Sequence, residues 1–144
     1  MTVRRRRQAG AELVEFSLVM PLLLLTVTGM VSFGFAMRNY LVLTNGVNAG
    51  AQTLAMSRGQ TTDPCATAVA AVEASAPSLT AGSLSFTIVI NGTTYTSTSC
   101  TSGTANMVQG ATAQVTASYP CTLAIYGMSS GTCGLKTQTA EMIQ

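Results

Sequence analysis

Five carboxylates, four thiols and no imidazole make up the reactive inventory of this 144-residue chain. Without histidine there is no Ser-His-Asp or Cys-His nucleophilic site and no histidine metal ligand. Cys65, Cys100, Cys121 and Cys133 contain no CxxC spacing, which argues against zinc and against dithiol redox catalysis. No metal and no other cofactor is expected. The cysteines all follow the long apolar stretch described below, and their even number reads as two disulfides in an oxidising compartment. Three pairings are open. The preferred one joins Cys121 to Cys133, closing a Gly/Ser-rich loop, and Cys65 to Cys100, tying a short helix to a hairpin. Asp63, Glu73 and Glu141 form no recognisable motif, and the abundant serines and threonines lack a base, so no enzymatic activity is expected. That leaves Glu12 and Glu15, set between four arginines and an apolar run.

Arg4, Arg5, Arg6 and Arg7 carry four of the seven positive charges. From residue 11 onward three basic residues face five acidic ones, a balance of −2 that does not suit nucleic acid. Between Glu15 and Arg38 lie 22 uncharged residues, FSLVMPLLLLTVTGMVSFGFAM. As a helix they span roughly 33 Å, enough for a hydrocarbon core of about 30 Å. A cleaved secretory signal has a shorter apolar part and a small-x-small site, and FGFAMRN is a poor one. The run therefore reads as a membrane anchor. Four arginines before it and one after place the N-terminus in the cytoplasm and the rest outside. A carboxylate carried to the bilayer centre costs about 2.5–3.5 kcal/mol. Glu15, at the edge of the span, accordingly needs either a partner or a place among the headgroups at a helix N-terminus.

The elements that must position these groups follow from periodicity. Met37, Tyr40, Leu41, Val47, Ala51, Leu54 and Ala55 mark one face at three- and four-residue spacing, opposite Arg38, Asn45 and Gln52. One helix is predicted over 11–58, with its transmembrane part at about 16–37 and Gly59 as its end. Pro21 predicts a kink or local melting. Gly46 and Gly50 form a GxxxG, either a close-packing face or simple tolerance of small residues. Asp63-Pro64 starts a second helix that runs to about Ser75, with Val69 and Val72 on its buried side. SLSFTIVI-NG-TTYTSTS is a hairpin whose Asn91-Gly92 supplies the positive φ angles of a two-residue turn. A third strand is predicted over Ala111–Tyr119 and a fourth near Leu135–Ile143. The fold class is α+β, with the long helix covering one face of a small antiparallel sheet. With 47% apolar and 8% charged residues the chain is too apolar for disorder.

The residues at the membrane entry, RRRRQAG-AELVEF-SLVMPLLLL, resemble a type IV prepilin signal of the class III kind. With the polar helix LVLTNGVNAGAQTLAMSRG that follows, the chain resembles the TadE-like proteins over roughly residues 8–58. The resemblance implies a pilin-like fold, a basic leader at 1–10, cleavage between Gly10 and Ala11, and Glu15 and Phe16 as the processing and assembly motif. Family members often carry tyrosine where Phe16 stands, an exchange that keeps the ring. The resemblance further implies a minor pilin or pseudopilin of the tight-adherence (Tad/Flp) pilus system in the bacterial inner membrane, supporting adhesion and biofilm formation. Its implied partners are a prepilin peptidase, the inner-membrane platform of the Tad machine and other pilins. Residues 59–144 would form the extracytoplasmic, disulfide-containing domain. The alternative is a signal-anchored ligand-binding protein that is neither processed nor assembled.

Overall fold

The computed structural model describes residues 3–125 and 128–144, with side-chain surroundings for 12–121 and 133–144. Helix α1 runs from Val3 to Met56 and is continuous through Pro21, so the local melting expected there does not occur. Its start lies before the predicted Ala11, because Arg, Gln and Ala are good helix formers and nothing in the leader breaks the helix. Its end comes two residues before Arg58. The Ser57 hydroxyl and the Ser57 N–H both donate to the Leu54 carbonyl, at 2.9 and 3.2 Å, which tightens the last turn. Gly59 then takes a φ of 72°, the left-handed conformation that glycine adopts without strain.

Helix α2, Pro64–Ser75, begins where Asp63-Pro64 placed it. The Asp63 carboxylate accepts the Ala66 N–H at 3.0 Å, and proline occupies a first-turn position whose N–H would be unpaired in any case. Strands β1 (Ser85–Ile90) and β2 (Thr93–Tyr95) form the predicted hairpin, with Asn91 at φ 48° and Gly92 at φ 78°, the pair of positive angles a tight hairpin turn requires. Strands β3 (Thr112–Ile125) and β4 (Met128–Met142) are both longer than their alternation suggested. The sheet has the order β2-β1-β3-β4 and is antiparallel throughout. The molecule is α+β, as its sequence pattern indicated.

One sheet face packs on α1 and α2. Its core joins Leu43, Val47, Ala51 and Leu54 of α1 to Ala68 and Val72 of α2 and to Ile88, Ile90, Ala113, Val115 and Ala117 of the sheet. Val47, Ala51, Leu54 and Ala55 are buried as predicted, but Met37, Tyr40 and Leu41 are exposed. The packed face of α1 starts at Leu43 and is set by where the sheet and α2 lie, which apolar spacing alone does not encode. Two polar contacts fasten α1 to β4: the Thr139 hydroxyl donates to Asn48 Oδ1, and the Thr44 hydroxyl reaches that of Thr137 at 3.5 Å.

Candidate functional site

The chemically distinctive groups fall into two places, the N-terminal part of α1 and the junction between α2 and the segment that follows β2. Gly10 and Ala11 lie on α1, but their side-chain surroundings are outside the described residues. Glu12, Glu15 and Phe16 are exposed on the helix, the last with 60% of its surface accessible. Beyond them the apolar surface continues around the helix: Leu13, Leu18, Leu22, Met30, Phe33 and Phe35 are all exposed, Leu18 and Met30 at 74%. Such a surface is far larger than a water-exposed protein leaves uncovered. Three hydroxyls in this stretch are satisfied within the helix. Ser17 donates to the Val14 carbonyl, Thr26 to that of Leu23 and Thr28 to that of Leu24, at 2.7–2.8 Å. A polar group in hydrocarbon must be paired in this way. The stretch has the length and composition to cross a membrane once.

The second place is built on Asp63. Besides capping α2 it accepts the Cys100 N–H at 2.9 Å and the Ser99 hydroxyl. Burial pushes its carboxyl up, but the bonds from Ala66, Ser99, Cys100 and Cys65 together outweigh that and hold it below the ordinary carboxylate range. Cys65 and Cys100 are bridged beside it, with Cα atoms 5.3 Å apart, so one carboxylate and one disulfide tie α2 to the 3-10 turn at Thr101–Asn106. The second bridge joins Cys121 to Cys133 at a Cα separation of 5.1 Å. The pairing is the preferred one, but these two cysteines face each other across the β3–β4 ladder, where a loop was expected. Among the described residues no group of three or more acidic or cysteine side chains could hold a metal ion.

The GxxxG resolves as a close-packing face within the chain. A Cβ on Gly50 would lie 2.5 Å from Val72 Cγ2 and 3.1 Å from the Ala68 carbonyl oxygen, and one on Gly46 would meet the Val72 carbonyl at 3.1 Å. Both glycines let α2 approach α1. The links Asp63–Ser99, Asn48–Thr139 and Thr44–Thr137 were not anticipated from sequence, since each joins residues 36 to 93 positions apart. Asp63 alone had a local signal, its place before a proline.

Residues 10–52 match the family model described as TadE-like protein. No curated protein and no solved structure matches the chain. The matched stretch lies wholly within α1, from the glycine of the expected cleavage point to the exposed Gln52, and it takes in the acidic-aromatic pair, the apolar run and both packing glycines. The chain is thus similar to TadE-like proteins through the single helix that carries its exposed apolar surface, and this similarity associates it with the Tad pilus system.

Proposed function

We propose that this protein is a minor pilin or pseudopilin of the Tad pilus system, stored as a single-pass protein of the bacterial inner membrane with its N-terminus in the cytoplasm. The observation that supports this reading best is the division of α1. From Leu43 onward the helix is committed to its own domain, whereas Leu13 to Leu41 presents apolar side chains in nearly every direction. Such a helix needs lipid before assembly and the apolar helices of neighbouring subunits after it. In this scheme a prepilin peptidase cuts after Gly10 and exposes an α-amine on Ala11, whose ordinary pKa is about 7.7–8.0. Glu15 of one subunit pairs with that amine on a neighbour, so a carboxylate that is costly in lipid acquires a partner only once the leader is gone. The platform proteins and other pilins are the remaining partners, adhesion and biofilm formation are the outcome, and no catalysis is involved.

The test is the mass of the protein recovered from cells, with Gly10→Leu as the variant. A peptidase at the membrane surface must approach the backbone before the scissile bond, and glycine offers no Cβ to obstruct it. Wild type should lose residues 1–10, and Gly10→Leu should keep them. An intact wild-type N-terminus would instead favour a permanently anchored ligand-binding protein, and processing of Gly10→Leu at Ala11 would remove the assigned cleavage site.

A further inference from the structure

Contacts at three levels fix how β4 runs along α1. Thr137 meets Thr44, Thr139 bonds Asn48, and the Gln144 N–H just past the strand donates to the Ala55 carbonyl. β4 is therefore parallel to α1, and its later residues lie farthest from the apolar part of the helix. β1 is antiparallel to β3 and β3 to β4, so β1 shares the direction of β4 and begins at the same end. It begins at Ser85, opposite Ser118, and past that pair β3 and β4 continue as a two-stranded ribbon bridged by Cys121–Cys133. α2 runs the opposite way, since Ala76 lies against Gly46 and Ala68 against Gly50. The base of the domain, the end nearest the apolar helix, is thus made of the loop 76–84, the start of β1, residues 118–120 of β3 and residues 134–136 of β4.

A span at 16–37 sets this base on the membrane surface. Those residues cover roughly 33 Å as a helix against a hydrocarbon core of about 30 Å, so Arg38 emerges among the headgroups. Headgroups add roughly 5–7 Å on each side. Leu43, where the packed face of α1 starts, is only about 7.5 Å further along the helix, which leaves no water layer between domain and lipid. Lys136 precedes Thr137 and so stands close to the level of residue 42, from which its four-carbon stem reaches that of Arg38. Both cations are exposed, and they flank the base. Thr137 is buried toward α1, which puts Lys136 on the opposite sheet face, whereas Arg38 is on the helix itself. The acids are elsewhere. Asp63 and Glu141 lie at the far end, and Glu73, next to Val72, is level with Gly46, about 12 Å above Arg38. Beside Lys136, Ser118 and Ser85 stand in register on one sheet face, and with Ser83 and Gly134 they border a hollow of about 470 Å³ where β1 begins. None of these three serine hydroxyls has a partner among the described residues.

We propose that the base of the domain is a seat for anionic phospholipid. Arg38 and Lys136 hold phosphate groups of the leaflet that faces the domain, one on each side of the base, and the serine hydroxyls beside Lys136 donate to the same phosphates. Charge complementarity selects this occupant. Two cations at headgroup level, with unbonded donors beside one of them and no acid nearby, match a surface of negative potential that accepts hydrogen bonds. A single cation would only tether the domain, but two on opposite sides oppose its tilting. The seat thereby sets the rotation and tilt of the domain on the membrane while the protein is anchored.

The proposal rests on residues 16–37 being a membrane span, so the test reads the two separately. The chain has no tryptophan, and single replacements therefore report locally. Full-length Leu24→Trp, Gly82→Trp and Val108→Trp proteins are placed in phosphatidylethanolamine–phosphatidylglycerol vesicles. Leu24 samples the span. Gly82, in the base loop, has nothing within 4 Å of an added Cβ, and Val108 is half exposed near the Gly110–Ile143 bond at the far end. Leu24→Trp should lose emission to brominated acyl chains. Gly82→Trp should lose emission to a lipid spin-labelled on its headgroup, and Val108→Trp should keep it. Adding Lys136→Gln or Arg38→Gln to Gly82→Trp should each lower the ratio of seated to tilted domain about fivefold and so cut the quenching. Molar salt, or phosphatidylcholine in place of phosphatidylglycerol, should cut it too, whereas Arg58→Gln, just past the far end of α1, should not. If Gly82→Trp is quenched no more than Val108→Trp while Leu24→Trp responds to bromine, the seat is overturned and the span stands. Quenching of Gly82→Trp that ignores both charge variants, salt and lipid charge also overturns it, leaving mere proximity to the membrane. If Leu24→Trp does not respond to bromine, both readings fall. Non-reducing peptide mapping of each variant checks that both bridges are present, so that a misfolded variant is not read as a negative.

Discussion

Asp63 shows how much one residue can do when its neighbours are supplied by the fold. As an N-cap its loss costs about 0.5–2 kcal/mol of stability. Here the same carboxylate also holds Ser99 and Cys100, so Asp63→Ala should fall at the upper end of that range in urea unfolding of the detergent-solubilised chain. Asp63→Asn keeps an acceptor for the Ala66 N–H but no charge, and should cost less. The acid limb separates charge from shape. The folded carboxyl sits below its unfolded value of about 3.9, so the unfolded state takes up the proton more readily. The stabilisation is full above pH ~4 and is lost as pH falls further, through the folded pKa. Unfolding midpoints taken from pH 6 down to about pH 3 should drop in wild type and drop less in Asp63→Asn. Parallel curves would show that the charge contributes nothing.

At the scale of elements, the contact between α1 and α2 depends on two missing side chains. Adding a Cβ at Gly50 forces Val72, itself fully buried, out of its place. Gly50→Ala should therefore destabilise by about 1–3 kcal/mol, the usual cost of overpacking, and Gly50→Leu by more. Gly34→Ala is the control: nothing lies within 4 Å of its Cβ, and the change should be near neutral. The disulfides constrain elements of different separation. Cys65–Cys100 closes 35 positions and Cys121–Cys133 closes 12. Loop-closure entropy assigns them about 3.8 and about 2.8 kcal/mol. Replacing Cys65 and Cys100 together by serine should accordingly lower the unfolding midpoint more than replacing Cys121 and Cys133. Equal losses would show that the ribbon bridge stabilises through native contacts. Recovery of four free thiols from periplasm-exposed protein would remove the premise of both.

For the whole molecule, the decisive feature is one helix serving two environments. Its last quarter, from Leu43, is buried among sheet and α2, and the apolar part below continues it without a break in the helix. Under the proposed function this rigid link carries Glu15 from the membrane edge to the amine of a neighbouring subunit. Glu15→Gln preserves size and hydrogen bonding but removes the charge, and its site lies five residues beyond the cleavage point. It should spare processing while lowering recovery of the protein in sheared surface fractions. The paired readout is N-terminal mass and immunoblot of those fractions. Normal processing with normal assembly would remove the charge-pair mechanism and leave the association with the Tad system in place.

The sequence by itself determined what local physics controls. The length of the uncharged run after Glu15, the Asp63-Pro64 helix start, the Asn91-Gly92 turn and the even number of cysteines each specify an element through a few adjacent residues. The alternation from Ala111 likewise put Ala113, Val115, Ala117 and Tyr119 on one face of a strand, and the structure buries the first three fully and Tyr119 in part. Only the tertiary structure decided which side of α1 is covered, why Met37, Tyr40 and Leu41 are not, and that Gly46 and Gly50 serve α2 rather than another chain. It also decided that β3 and β4 outrun the sheet, pairing with each other beyond Ser118, where β1 ends. Helical periodicity repeats on several faces of a long apolar helix, and nothing within five or six residues distinguishes them. The choice is made by partners tens of positions away, Val72 for Gly50 and Thr139 for Asn48, whose arrival depends on the path of the whole chain.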